Sequence, residues 1–306
     1  MTTVGTSTSA FYERASLGIG ALRAQAEGLQ AQLGSGDRLA RSSDNPVAAS
    51  RMRALTRADS LSGIDQANAG RATADLTLAD SALSDFADTI QRMQELTTQA
   101  ASSTLTDIQR AGIGKEIEAI RGNLVALANS RDSAGHALFG GEAAGDAYTL
   151  DASGNATYAG TGTAGELPLG EGQTVNRGLT GPEFLNFTVN GNPTNLLQVA
   201  KDLADALQGG VADPAAAARD ALGALNQSLD AVTTGQTQVG ARLAWIDLTT
   251  QRRENLGELR ADEQADVGAT DIASTVAQLQ SVMTVLEASQ ASFAKLSGLS
   301  LFDVIR

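Results

Sequence analysis

The chain contains no cysteine, which excludes disulfides, thiolate metal sites and cysteine nucleophiles and leaves the compartment open. It contains one histidine, His136, too few for a histidine-based metal centre, and without the company a catalytic triad needs. Aromatic residues are scarce: 4% of 306, with one Trp, three Tyr and seven Phe. Such a composition suits long helices with narrow apolar seams better than a compact α/β enzyme core. Positive charge is in deficit, with 22 basic against 35 acidic side chains and a net charge of −13, which argues against a nucleic-acid partner or an anionic membrane surface. No stretch approaches the 18 or more apolar residues of a membrane span. The opening MTTVGTSTSAF has neither a basic n-region nor an apolar h-region, so no Sec-type leader is expected. A polar N-terminus leaves room for export by a machine that reads flexible segments.

What the chain does have is helix punctuation and heptads. Residues 42–55, SSDNPVAASRMRAL, hold a complete helix start: Asp44 or Asn45 to cap the free amides, Pro46 at the first helical position, then an Ala-rich run. Asp213-Pro214 repeats the device. An apolar seam with alternating steps of three and four runs Leu76, Ala79, Leu83, Phe86, Ile90, Met93, Thr97, Ala100. After a break at SSTLTD it resumes as Ile113, Ile117, Ile120, Leu124, Leu127. Two more runs follow: Leu222, Leu225, Leu229, Val232, Gln236, Val239, Leu243, Ile246, and then Ile272, Val276, Leu279, Met283, Leu286, Gln290, Phe293. Four such runs predict a mainly α fold, an elongated antiparallel coiled-coil-like bundle or rod. A helix from 214 to about 265 would be roughly 75–80 Å long at 1.5 Å per residue.

The ends read differently. The first seam, Ala15, Gly18, Leu22, Ala26, Leu29, Leu33, is diluted by small residues, and Gly18, Gly20 and Gly28 each cost about 1 kcal/mol relative to Ala. A lone helix of that kind is marginal in water, so residues 1–40 are expected to be stable only against a partner. The restart at 44–46 then begins the self-sufficient part of the chain. Gly268 and the candidate cap Thr270 or Asp271 mirror it, making the C-terminal run a second helical tail whose stripe is expected to lack a lasting partner within the monomer. Between the helices, 140–192 holds 12 of the 32 glycines and reads as short strands and turns, with YTLDASGNATYAG (148–160) a hairpin and FLNFTVNG (184–191) a half-buried strand.

Several motifs invite chemistry and resolve to structure. Gly160-Thr-Gly-Thr-Ala-Gly165 matches GxGxxG, but Pro168, Gly170 and Gly172 follow where the dinucleotide motif needs a helix. Asp151-Ala-Ser-Gly-Asn155 lacks the alternating acids and distal Glu of a calcium loop. His136 lies where a helix gives way to the β region. Glu116/Glu118 and Glu258/Asp262 fall beside Lys115 and Arg260 and read as solvated i,i+4 faces. The residues therefore assign no catalytic, cofactor-binding or metal site, and no enzyme.

Three segments carry a family resemblance. SGDRLARSSDNPVAASRM (35–52), LANSRDSAGHALFGG (127–141) and the C-terminal run DIASTVAQLQSVMTVLEASQASFAKLSGLSLFDVIR (271–306) resemble the flagellin superfamily, and the Asn45-Pro46 step and a tail closing through Phe302 resemble its hook-associated members. The resemblance covers nearly the whole chain and is weakest over 142–195. It implies an N-terminal assembly helix (1–44) pairing with a C-terminal one (267–306), rod helices at 45–139 and 196–266, and a small β-rich insertion at 140–195. It implies a structural subunit at the junction of hook and filament, exported by the flagellar type III apparatus. Its partners would be neighbouring copies in a collar, the other hook-associated junction protein on the hook side, flagellin on the filament side and an export chaperone. It implies no cofactor, no nucleic acid and no membrane insertion. The alternative within the superfamily is a filament flagellin; outside it stand a coiled-coil signalling protein, which should carry a span or sensing pocket, and a secreted enzyme sited in 140–195.

Overall fold

The computed structural model describes residues 3–39 and 41–298, with side chains from residue 10 to residue 296 apart from residue 40. The helices α1 (Thr3–Ser35), α2 (Pro46–Ala100) and α3 (Asp107–Ala128) come first. Three two-stranded antiparallel hairpins follow: β1 (Tyr148–Leu150) with β2 (Ala156–Tyr158), β3 (Glu166–Gly170) with β4 (Gln173–Asn176), and, after the short helix α4 (Gly181–Leu185), β5 (Asn186–Val189) with β6 (Asn192–Asn195). The chain closes with α5 (Leu196–Asp205), which passes into a π-helical turn at Ala206–Gly210, then α6 (Pro214–Gly268) and α7 (Ile272–Gly298). The fold is thus mainly α with small β hairpins. It forms two compact units, one of residues up to 60 with those from 256 onward, the other of residues 61–255.

The helix starts follow the side-chain chemistry at their first turns. The Asn45 Oδ1 accepts the Ala48 amide at 3.1 Å and Asp213 Oδ1 accepts the Ala216 amide at 2.9 Å, each one residue ahead of a proline that needs no partner. Asp271 does the same for Ala273 at 3.0 Å ahead of α7. Thr106 and Gln109 form a reciprocal capping box at the start of α3. The C-terminal end of α2 is closed by a buried cation: the Arg110 guanidinium donates to the Ala100 carbonyl at 3.0 Å and the Ser102 carbonyl at 2.8 Å, where the helix dipole favours positive charge.

In the 61–255 unit every residue of the α2 seam from Leu76 to Ala100 is fully buried. Each large apolar side chain there contributes roughly 1.5–3 kcal/mol. The α3 seam buries Ile113, Ile117 and Leu124, with Ile120 and Leu127 half-buried. On α6 the expectation is half met: Leu225, Val232, Val239 and Ile246 are buried, while Leu222, Leu229, Gln236 and Leu243 are half-buried. The buried stripe leans toward Ser228 and Gly235 because α4 occupies that side. A Cβ at Gly235 would lie 3.1 Å from Phe184 Cβ and 3.5 Å from Leu179 Cδ1. Phe184 then joins Phe139 and Phe86, with ring centroids 4.8 and 5.4 Å away. Gly114 plays the same part on α3, where a Cβ would meet Gln208, Leu207 and the Ala204 carbonyl at 2.9–3.1 Å.

The hairpin expected at 148–160 forms, with Tyr148 opposite Tyr158 and Asp151 Oδ1 accepting the Ser153 and Asn155 amides in the turn. The strand expected over 184–191 is shorter. Phe184 and Leu185 end α4, which starts on a Thr180–Glu183 capping box with Pro182 in its first turn, and extended backbone begins at Asn186. Proline and capping chemistry there override the alternating pattern.

Candidate functional site

The unit that joins the two ends of the chain holds the arrangement with functional content. Helices α1 and α7 pack along one another. On α1 the face turned to α7 carries Tyr12, Ala15, Ile19, Leu22, Ala26 and Leu29; Ala26 is buried and the others half-buried. Gly18, expected in this seam, is exposed, and Ile19 takes its place. On α7 the packed face is Thr275, Leu279, Val282, Leu286, Ser289 and Phe293. Three members of the expected seam are instead open to solvent: Ile272 at 64%, Val276 at 37% and Met283 at 37% exposure. Helix α7 therefore has two apolar stripes, one against α1 and one free, and the heptad reading merged them. The expectation that this helix has no partner within the monomer is corrected as well, because α1 is its partner. The Tyr12 hydroxyl donates to the Leu296 carbonyl at 2.9 Å, across 284 residues of sequence. The closing residues 299–306, including Phe302, lie outside the described residues.

The turn that follows α1 and the turn that precedes α7 are clasped together. The Arg38 amide donates to the Gly268 carbonyl at 2.7 Å, the Thr270 amide donates to the Gly36 carbonyl at 2.8 Å, and Asp37 and Ala269 form an antiparallel bridge. Gly36, at φ +78°, makes the turn that a side chain would strain. The Arg38 side chain adds a bond to the Val267 carbonyl at 2.6 Å. Beyond the clasp, Arg51 forms a two-pronged pair with Glu263, and Asp59 accepts from Arg260 at 2.7 Å and from Gln264. These bonds hold the carboxyls of Asp59 and Glu263 below their ordinary range, the arginine contact being the main cause in each.

The pair is apolar and electrically neutral. Between them α1 and α7 carry three acidic residues, Glu13, Glu27 and Glu287, and three basic ones, Arg14, Arg23 and Lys295, in a chain of net charge −13. Phe11, Leu17, Ile272, Val285 and Leu296 are each more than two-fifths exposed. A groove of about 460 Å³ runs between the helices, lined by Phe11, Ala15, Gly18, Leu22, Ser292 and Phe293 among others. So much exposed apolar surface marks an interaction face.

The residues singled out for chemistry serve structure. Glu116 pairs with Arg92 of α2 at 2.8 Å and Glu118 with Arg121 at 2.8 Å. Arg260 binds Asp59 rather than Glu258 or Asp262. Gly160–Gly165 forms a turn leading into β3, not a helix. His136 lies 3.5 Å from the buried Asp132, which also accepts the Ala134 and His136 amides and an Arg177 nitrogen at 3.1 Å. Burial pushes the Asp132 carboxyl up, but those two amides with the nearby His136 and Arg177 hold it below its ordinary value. Asp75, on the other side of Arg177, is pushed up, chiefly by burial. A cavity of about 500 Å³ is lined by Glu142, Glu166 and Glu183 among others, and Glu183 is committed to capping Thr180. Among the described residues no three His, Cys, Asp or Glu side chains are placed to hold a metal ion.

The sequence reading missed the arginines that fasten the β hairpins to the helices. Arg121 donates to the Gly154 carbonyl at 2.9 Å, Arg242 to Gly178 at 2.6 Å and Arg253 to Leu169 at 2.6 Å, while Asn68 donates to Pro168 at 3.0 Å. Their partners are main-chain carbonyls, which leave no mark in a sequence.

Comparison with known proteins agrees with this geometry. Residues 6–144 match the bacterial flagellin N-terminal helical region. Over those residues the chain is similar to the flagellin-like proteins of the bacterial flagellum. Within that class its full-length likeness is to flagellar hook-associated protein 3. It is 28% identical over 320 residues to that protein of Escherichia coli, covering 97% of this chain and 98% of the relative, and 29% identical to that of Salmonella typhimurium, covering 98% and 99%. The fold is shared with the flagellar junction protein FlgL of Legionella pneumophila, at a TM-score of 0.59 and 14% identity over 71% of this chain and 99% of that one. Among the described residues no helix is long and apolar enough to cross a membrane.

Proposed function

We propose that this chain is the structural subunit that connects hook to filament in the bacterial flagellum and that it assembles through α1 and α7. The observation that carries the reading is the clasped, neutral, partly uncovered helix pair in a chain whose likeness to hook-associated protein 3 runs nearly end to end. An acidic protein repels its own copies over most of its surface; two helices with balanced charge and exposed apolar stripes are where copies can approach. The subunits pack side by side as a collar, with the other hook-associated junction protein below and flagellin above. The chain is delivered by the flagellar export apparatus with a chaperone on its terminal segment. The role is mechanical, with no catalysis.

Purified protein added to isolated hooks tests this directly. The reading expects a collar on the hook tip, after which added flagellin elongates from it. Seeds of this protein growing into long filaments alone would support the filament flagellin alternative instead.

A further inference from the structure

Asn190 is the only asparagine in the chain followed by glycine. The pair forms the two-residue turn between β5 and β6, closed by Val189 opposite Asn192, with φ +50° at Asn190 and +82° at Gly191. Positive φ at both positions is the type I′ hairpin turn. Both residues are exposed, and among the described residues neither the Asn190 side-chain amide nor the Gly191 main-chain amide is hydrogen-bonded. Among the described residues the hairpin has no third strand, and a two-stranded hairpin is marginal in its own right, so its tip opens locally at small cost.

We propose that Asn190 is a site of spontaneous deamidation and isoaspartate formation. The Gly191 nitrogen, with no side chain beside it to block approach, attacks Cγ of Asn190. The new C–N bond forms as the bond from Cγ to the side-chain nitrogen breaks, and ammonia leaves with the amide proton, giving a cyclic imide. Water then opens the imide at one carbonyl or the other, yielding aspartate or isoaspartate, with no oxidant or cofactor required. Either product places a carboxylate on the groove of about 470 Å³ that Asn190 lines with Asp202 and Asp220. Isoaspartate also adds a methylene to the main chain within a turn that has room for two residues, so the register from Val189 to Asn192 is lost.

Incubation of the purified full-length protein in mildly alkaline buffer, followed by peptide mapping and enzymatic methylation of isoaspartyl groups, tests this. The expected result is that a mixture of aspartate and isoaspartate at position 190 is the leading change, ahead of Asn129, Asn155 and every other asparagine. Asn190→Gln, whose longer side chain closes such a ring far more slowly, is expected to lose the isoaspartyl signal while keeping the fold by circular dichroism. Retention of the Asn190 amide while another asparagine converts first, or throughout the incubation, overturns the proposal, as does an undiminished isoaspartyl signal in Asn190→Gln.

Discussion

Tyr12 and Phe293, from opposite ends of the chain, meet edge to face with ring centroids 5.6 Å apart and planes at 89°. Such a contact contributes about 0.5–1.5 kcal/mol beyond the area it buries. With the clasp at Arg38–Gly268 and Gly36–Thr270 it makes one unit of two helices that are weak singly. The pairing also separates a stripe of α7 that serves the monomer from one that stays free.

Leu286 and Met283 distinguish the two stripes. Leu286 is buried against α1, whereas Met283 is 37% exposed. Leu286→Gln is expected to loosen the α1–α7 pair by about 1–3 kcal/mol, seen as faster hydrogen exchange in both helices with the 61–255 unit unchanged. Met283→Gln should leave exchange untouched and weaken collar formation on hooks. Equal exchange behaviour in the two variants would contradict the assignment of stripes.

The core of the larger unit makes a sharper demand. Val232→Asp or Ile246→Asp puts an unpaired charge in a buried seam and should cost several kcal/mol. Asp230→Ala, at an exposed position two residues from Val232, should shift the melting temperature little. Similar shifts in both sets would mean that α6 presents a different face.

Gly28 faces open space, with no atom beyond its own helical turn within 4 Å of where a Cβ would stand. Gly28→Ala should therefore strengthen α1 by about 0.5–1 kcal/mol, measured as slower exchange of its amides. A weakened helix would show that the space is occupied in the monomer.

Acid sensitivity should centre on Asp132. Its folded-state carboxyl titrates below the ordinary range, so its stabilisation is present above the unfolded-state value and is lost as pH falls through the folded one. Asp132→Ala should be destabilised at neutral pH by about 1.5–3 kcal/mol, and its deficit against the parent protein should shrink as pH drops below the carboxylate range. Asp75 opposes this trend: its raised folded value gives stability present below the unfolded value and lost as pH rises through the folded one. Denaturant titrations across pH on Asp132→Ala and Asp75→Asn should give slopes of opposite sign.

Much of this was legible in the residues. The α2 seam from Leu76 to Ala100 is legible because large side chains occupy a strict heptad, with Leu78 and Leu96 the large apolar residues of that stretch outside it. The starts at Pro46 and Pro214 are legible because capping is local chemistry. Helix α7 misled because Val276 and Met283 are as apolar as Leu279 and Leu286, and which stripe is covered depends on a partner 280 or so residues away, an effect of tertiary packing beyond local periodicity. The fastening of the hairpins by Arg121, Arg242 and Arg253 was invisible because a carbonyl acceptor belongs to every residue type. Gly268 reads as a break, but only the folded chain shows that the turn there bonds to the turn at Gly36 and Arg38.

The central claim is that this chain joins hook to filament. Deleting its gene and examining the cells by electron microscopy, with flagellin assayed in the medium, is the most direct measurement. The account predicts intact hooks without filaments, flagellin shed into the medium, and recovery on restoring the gene. Normal filaments on the deletion strain, or loss of the hooks themselves, would contradict it.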